Sequence, residues 1–295
     1  MELSDLMTFA TVARTQRITA AARVLNTVQS NVTGRIKGLE AEIGLTLFSR
    51  HSRGMVLTDA GHRLLPYAER LLSLSREALR AARNDGLPRG ELLIGSMETT
   101  AALRLPGLLA DYHRAYPYVQ LSLRTGPTAE MAEAVLERAL DCAFVAGPLE
   151  HPDLVAHPAF QEELVLVTQR ALLSLDAVAG AASNGLAALM FKVGCSYRQR
   201  LEQVLAGLGL SVYGRLEFGT LDGILGCVAA GVGVTLLPRA VVEQSAQATA
   251  LRCHTLEPLH AHVETLLVLR RDAYVGAALL RLMSLVSVGP GDQVT

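Results

Sequence analysis

The chain has 295 residues, half of them hydrophobic and only 19% charged, which supplies two or three modules with real cores and excludes a disordered polymer. A formal net charge of -1 hides an asymmetry. Residues 1–90 hold 13 Lys/Arg against 8 Asp/Glu (+5), and the remainder holds 14 against 20 (-6), so a polyanion partner is expected for the head alone.

In chain order, a first helix is expected from Ser4, with Leu6, Phe9, Ala10 and Ala13 as its buried stripe. A short second helix, capped by Thr19, runs to Leu25, and Ala20–Ala22 let a neighbouring helix approach closely. Asn26 and Thr27 break the chain, and Thr27 caps a third helix on which Val28, Val32, Ile36 and Leu39 form one apolar stripe. At roughly 100° per residue, Gln29, Ser30, Thr33 and Lys37 fall on the opposite face. Short amides and hydroxyls with one cation suit base edges and phosphate in a major groove, although a merely solvated amphipathic helix has the same pattern. Gly44 ends this helix as a C′ glycine. Strands at Thr46–Phe48 and Met55–Thr58, joined by Ser49 to Gly54, then make a wing carrying Arg50, His51 and Arg53.

The run AAARVLNTVQSNVTGRIKGLEAEIGLTLFSRHSRGMVLTDAG resembles the winged helix-turn-helix signature of the LysR-type transcriptional regulators. It has an Ala-Ala-x-x-Leu helix, Gln-Ser opening the recognition helix, Leu-Glu-x-x-x-Gly at its exit, Leu-Phe-x-Arg, and Leu-Thr-x-x-Gly after the wing. The resemblance implies that Gln29, Ser30 and Thr33 read bases, with Arg50 and Arg53 on the backbone. The family often has Ser-Arg where this chain has Thr33-Gly34. Arg35 is the nearby substitute cation, placed as a phosphate contact or a snorkelling side chain, and Lys37 completes the set.

Asp59 is expected to cap a long helix through about Asn84, with Leu64, Leu65, Leu71, Leu72, Ala78, Leu79 and Ala82 on its apolar side and a bend at Pro66. Such a helix needs a partner to bury its stripe; the resemblance makes it the linker that pairs two chains, while packing on its own body is the alternative. Asn84-Asp85-Gly86-Leu87-Pro88 marks a boundary. Beyond Gly90, short apolar strands (Leu92–Gly95, Val119–Leu123, Cys142–Ala146, Leu164–Thr168, Ala188–Lys192, Leu216–Phe218, Val232–Leu237, Thr265–Arg270) alternate with helices (Leu105–Tyr116, Thr128–Ala139, Gln199–Leu208, Leu221–Ala230). This is the βα alternation of open, mostly parallel sheets, which bind ligands beyond strand carboxyl ends. Four strand exits are rich in hydroxyls or Gly: Ser96–Thr100, Thr125–Thr128, Gly194–Ser196 and Phe218–Asp222. Each is an N-cap at minimum.

Gly90 to Val286 resembles the periplasmic-binding-type (type 2) effector domain of LysR regulators, with AAGVGVTLLP as a recurrent element. The expected organisation is α/β: a winged helix-turn-helix at 1–60, a linker and dimerisation helix at 61–89, and a two-lobed effector domain at 90–295. Lobe I would take about 90–161 and 269–295, lobe II about 162–268, with crossing strands near Gln161–Thr168 and Glu264–Arg271. Candidate effector contacts are Ser96, Met97, Thr99, Thr100, Thr125, Gly126, Phe144, Cys195, Ser196 and Thr220, and Glu98 and Asp222 are expected to turn outward or to accept from a ligand hydroxyl.

Cys195 before a helix is a candidate sensing thiol. The peroxide-sensing branch of the family has a cysteine near this point, but the best register puts Ser196 at the reactive position and Leu205 at the resolving one, so a cleft-lining role is the main expectation. Cys142, Cys195, Cys227 and Cys253 share no metal spacing, with Cys142 and Cys227 read as buried fillers; His260 and His262 are placed in a loop. No cofactor is expected. MELSDLMTF is no signal peptide and no apolar run reaches roughly 18 residues, so a cytoplasmic chain with no membrane partner is expected. The sequence contains no G-x-S-x-G elbow or P-loop, and Gly231-Val232-Gly233 follows a helix instead of preceding one. The leading expectation is a non-enzymatic regulator that binds double-stranded promoter DNA as a homo-oligomer, a dimer of dimers, and responds to a small organic acid. RNA polymerase stays open as a further partner. A solute-binding protein and an unrecognised cytosolic enzyme are the other readings.

Overall fold

The computed structural model describes residues 1–51, 54–82, 86–182, 187–210 and 214–287. It divides into two compact units, one of residues 1–85 with 137–139 and one formed by the rest.

The first unit opens with α1 (Leu3–Thr15), one residue earlier than Ser4, with a capping box between Glu2 and Asp5. Its buried stripe is Leu6, Phe9 and Val12, while Ala10 and Ala13 are half-buried. Helix α2 (Ile18–Val24) has Arg17 as N-cap without a side-chain bond, so Thr19 lies inside the helix and caps nothing. Helix α3 (Gln29–Ile43) begins after Val28, and the Thr27 hydroxyl accepts from Asn31 Nδ2 at 2.9 Å instead of capping the backbone. Val32, Ile36 and Leu39 are buried as the spacing predicts, but Val28 is 65% exposed because it precedes the first helical turn. Gly44 closes α3 in the left-handed region at φ 76°.

The wing is β1 (Phe48–His51) and β2 (Gly54–Leu57), antiparallel, with Phe48 opposite Leu57 and His51 opposite Gly54. It starts two residues later than expected, so Ser49 to His51 belong to a strand and not to the turn. Helix α4 (Asp59–Ala82) follows. Its cap is Thr58, whose hydroxyl accepts from Gly61 N at 3.1 Å; Asp59 is the first helical residue. The end expected at Asn84 lies outside the described residues. Leu64, Leu65 and Leu72 pack on the head core beside buried Ala68, whereas Leu71, Ala78, Leu79 and Ala82 are exposed. The single apolar side read from the sequence is therefore two faces.

The second unit runs β3 (Gly90–Ser96), α5 (Glu98–Leu103), α6 (Leu105–Ala115), β4 (Val119–Thr125), α7 (Thr128–Leu136) and β5 (Cys142–Ala146). Next comes β6 (Leu154–Gln169), then α8 (Leu175–Ala182), β7 (Ala187–Phe191), α9 (Ser196–Gly207), β8 (Gly214–Phe218), α10 (Leu221–Ala229) and β9 (Gly233–Pro238). The chain ends with α11 (Arg239–Glu243), β10 (Leu251–Thr255), α12 (Pro258–Ala261), β11 (His262–Arg270) and α13 (Ala277–Ser287). His260 thus sits in a short helix and His262 opens a strand, not a loop.

Strand order is β4-β3-β5-β11-β6-β9-β7-β8, with β10 on β6. The pairs β3–β4, β3–β5, β7–β8 and β7–β9 are parallel, as βα alternation requires. The long strands β6 and β11 run antiparallel to one another through both lobes. Leu164–Val167 of β6 joins β9 in lobe II, and Thr265–Val268 of β11 joins β5 in lobe I, so the return crossing comes before the changeover expected at 269. The register slips between Thr265 and Leu266, where β11 changes lobe. Lobe I has one core around Ile94, Tyr112, Phe144 and Leu282, and the lobe II sheet is buried on both faces.

Candidate nucleic-acid interface and inter-lobe cavity

On α3 the side chains of Gln29, Ser30 and Lys37 are exposed and Thr33 is half-buried, so all four remain on one outward face. Gly34 borders that face, and a Cβ there would meet nothing within 4 Å. Arg35 does not belong with them. Its Nη1 donates to Ser4 Oγ at 2.6 Å and to Asp5 Oδ1 at 2.9 Å, which staples α3 to the first turn of α1. Its side chain is still 38% exposed, so the pairing sets its position on α3 ahead of any phosphate contact. Arg50 lies on β1 opposite Met55, and Arg53 lies outside the described residues.

Two residues that sequence reasoning treated only as motif letters aim the wing. Glu40 Oε1 accepts from the backbone N–H of Leu47 at 2.8 Å and of Phe48 at 3.3 Å, fixing where β1 leaves α3. Thr58 donates to Thr46 O at 2.7 Å while its backbone N–H bonds Leu47 O, so one residue ties the strand before the wing to the helix after it. Gly61 is needed because a Cβ would come within 2.3 Å of Leu47 O, and Gly54, at φ 133°, would place one 2.4 Å from Gln16 O. The signature is thus a set of close approaches and caps.

In the second unit, elements of both lobes enclose a cavity of ≈ 250 Å³. Lobe I contributes Met97, Glu98, Thr99, Thr125, Gly126, Pro127 and Glu130; lobe II contributes Phe191, Lys192, Cys195, Tyr197, Phe218 and Gly219. The volume falls just below the roughly 300–1,000 Å³ of drug-sized pockets and suits a metabolite. The lobes touch beside it, where Ala129 N–H donates to Gly194 O at 3.4 Å.

Of the residues chosen from sequence, Met97, Thr99, Thr125, Gly126 and Cys195 line the cavity. Five do not. The Ser96 hydroxyl is fully buried and donates to Met97 O at 2.9 Å, Thr100 is on the buried side of α5, and Phe144 packs in the lobe I core 5.8 Å from the Phe160 ring. Thr220 caps α10 by accepting from Gly223 N at 3.2 Å, and Ser196 Oγ is buried away from the lining. Strand exits located the segments correctly, but backbone bonding claimed Ser96 and Thr220, and burial took Thr100, Phe144 and Ser196. Missed were Pro127, Glu130, Phe191, Lys192, Tyr197, Phe218 and Gly219. Asp222 is exposed, as expected. Glu98 lines the cavity instead of turning outward, so of the two expectations for it, accepting from a ligand hydroxyl is the one that stands.

The cavity is electrostatically uneven. Burial pushes the Glu98 carboxyl above its usual range, Lys192 across the cavity pulls it back, and Glu130 adds to the rise. Glu98 and Lys192 form no direct ion pair among the described residues, whereas Glu130 is paired with Arg124. Burial raises the Tyr197 hydroxyl and the nearby Thr99 hydroxyl pulls it back, yet the two stand outside hydrogen-bond geometry. Both residues are buried, at 3% and 4% exposure. A buried unpaired hydroxyl costs about 1–3 kcal/mol, which a ligand's polar atoms would recover. Burial also raises the Cys195 thiol, outweighing the helical N–H groups of Tyr197 and Arg198, which is the wrong direction for a reactive thiolate. Cys227 is half-buried instead of buried, and among the described residues no cluster of metal-ligating side chains occurs.

A raised carboxylate has a signed consequence. Since the folded state raises the proton affinity of the Glu98 carboxyl, its contribution is favourable below its unfolded pKa and is lost as pH rises through the folded one. Glu98→Gln is therefore expected to raise the melting temperature of the ligand-free protein at neutral pH. That gain should vanish once pH falls below the ordinary Glu range; a gain independent of pH would trace it to packing instead.

A winged helix-turn-helix head followed by a two-lobed α/β domain is the architecture of a DNA-binding regulator. Residues 3–62 match the bacterial regulatory helix-turn-helix proteins of the lysR family, and residues 85–287 match the LysR substrate binding domain. The chain is 42% identical over 279 residues to the HTH-type transcriptional regulator GltR of Bacillus subtilis (strain 168), covering 95% of this chain and 94% of GltR. It is 44% identical over 283 residues to the HTH-type regulator YusT of the same organism, covering 96% and 94%. Its fold matches full-length CbnR complexed with target DNA at a TM-score of 0.70 and 23% identity, covering 97% of this chain and 99% of that one. The chain belongs to the LysR family of DNA-binding transcriptional regulators. No helix among the described residues is long and apolar enough to cross a membrane.

Proposed function

We propose that this regulator binds a two-fold operator as a dimer or dimer of dimers in the cytoplasm, without catalysis, and that a small organic acid held between the lobes alters promoter occupancy. One observation carries the ligand part: a cavity walled by both lobes is lined by an ammonium group, Lys192, that has no direct ion pair among the described residues. A ligand that touches both walls favours one lobe arrangement over others, which is the condition for any shift in population. A coupling of about 1–3 kcal/mol, passed on through α4, suffices for a several-fold change in occupancy. Contact with RNA polymerase fits this role but has no residue assigned to it.

Gly219 provides the test of the site. It lines the cavity, its φ is not left-handed, and a Cβ there meets nothing within 4 Å, so Gly219→Trp fills space without straining the fold. Among metabolite acids screened by thermal shift, a hit is expected to stabilise the wild type and to leave Gly219→Trp unchanged. Equal stabilisation of both would place the acid elsewhere.

For the head, Gln29→Ala should change discrimination between operator variants by roughly 1–3 kcal/mol at one base pair. Lys37→Ala should instead weaken all sequences alike and reduce the salt slope by about one unit. Uniform weakening by Gln29→Ala would remove base reading from this face.

A further inference from the structure

The cavity separates its charges by lobe. Lobe I presents the carboxylates of Glu98 and Glu130, and lobe II presents Lys192 from the end of β7. Glu130 already holds Arg124, and its second oxygen lies over Gly126, 3.4 Å from where a Cβ would stand. Glu98 has no direct ion pair among the described residues and answers Lys192 only across the cavity. Thr99 and Tyr197, both buried, also belong to the lining.

Each simple acid leaves part of this arrangement unmet. A monocarboxylate placed on Lys192 gives Glu98 nothing. A dicarboxylate long enough to span the lobes brings its second charge against Glu98 and Glu130, and like charges at that range repel. An amine without a carboxylate meets lobe I and leaves Lys192 alone. A molecule bearing an ammonium at one end and a carboxylate at the other satisfies both poles.

We infer that the effector is a zwitterion, an amino acid bound with its ammonium toward Glu98 and its carboxylate toward Lys192, so that the ligand itself ties lobe I to lobe II. This rests on the cavity being the effector site and adds the class of ligand to that reading. Orientation follows from the charges, and so does a pH dependence. The ammonium requires ionised Glu98, so affinity falls as acidification protonates that carboxyl.

Titration calorimetry on the full-length protein tests this with the twenty amino acids, each beside its deaminated acid and its decarboxylated amine. Leucine, 4-methylpentanoate and 3-methylbutylamine form one such set. At least one amino acid is expected to bind about ten-fold tighter than both of its truncated partners. Glu98→Gln should remove its advantage over the deaminated acid, and Lys192→Met its advantage over the amine. Gly219→Trp should abolish binding of every member. A deaminated acid that binds as tightly as its amino acid, or a preference that survives Glu98→Gln, overturns the zwitterion while leaving the cavity as a site for acids. Binding that survives Gly219→Trp, or no binding by any member, overturns the site and the zwitterion together.

Discussion

Asp placed at both Leu71 and Leu74 should break the pairing of two chains through α4, halve the mass of the full-length assembly, and lower operator affinity by about 10²–10³-fold. The reasoning begins with the two faces of α4. Leu65, Ala68 and Leu72 are spent on the head core, and the opposite side leaves Tyr67, Leu71 and Leu74 at 63%, 41% and 47% exposure. These three recur at i, i+4 and i+7, a continuous apolar stripe on a helix of 24 residues. A stripe that long on a soluble helix marks an interface, and a two-fold pairing of α4 sets two recognition helices against two half-sites. Two linked contacts gain an avidity of about 10²–10⁴ over one, and that gain disappears when the pair separates. The double variant removes no core side chain, so far-UV circular dichroism should be unchanged while light scattering reports half the mass. An assembly of unchanged mass with operator affinity intact would move the pairing surface off this face.

The head was legible because each letter of its signature performs a local task. Glu40 bonds the backbone that opens β1, Thr58 caps α4 and holds Thr46, and Gly61 and Gly54 stand where no Cβ fits. Such constraints act over a few residues and leave a fixed spacing. The exceptions are equally physical. Val28 lies at the N-cap and so escapes the stripe that periodicity assigned it, and the position of Arg35 is set by a distant partner, Asp5.

The cavity was legible only to the level of segments. Ser96, Ser196 and Thr220 belong to the predicted strand exits, but a hydroxyl beside a helix N-terminus satisfies itself on nearby backbone or turns into the core. Glu98, Lys192 and Tyr197 acquire meaning only when two strands far apart in sequence bring the lobes face to face. Nothing local announces that. The first half of β6 was missed for a related reason: Leu154–Glu163 alternates weakly, contains Pro158, and is held by pairing with β11 more than a hundred residues away.

The same crossing strand yields the second large effect, at its narrowest point. Adjacent carboxylates on β6 face opposite ways, as the period of a strand demands. Glu162 is 5% exposed and receives Arg104 through two bonds of 2.8 and 3.1 Å, with the guanidinium 5.6 Å over the Phe160 ring. Glu163 receives Arg239 through two bonds of 2.8 Å at a far more exposed site, and Arg239 continues to Thr255. Arg104 belongs to the α5–α6 junction of lobe I and Arg239 to α11 after β9, so the strand is clamped from both sides where it changes lobe. The two pairs should behave differently. Arg104→Met strands a buried carboxylate and is expected to cost about 3–5 kcal/mol. Arg239→Met leaves Glu163 to water and should cost under about 1 kcal/mol. The double variant Arg104→Met, Glu162→Met removes both charges at once and should recover most of the loss. Because the chain has no Trp, urea unfolding is best followed by circular dichroism, with the transition of the second unit as the readout. Equal losses from Arg104→Met and Arg239→Met would refute the assignment of Arg104 as the buried strut. A double variant as unstable as Arg104→Met alone would show that packing on Phe160, and not the charge, holds the crossing.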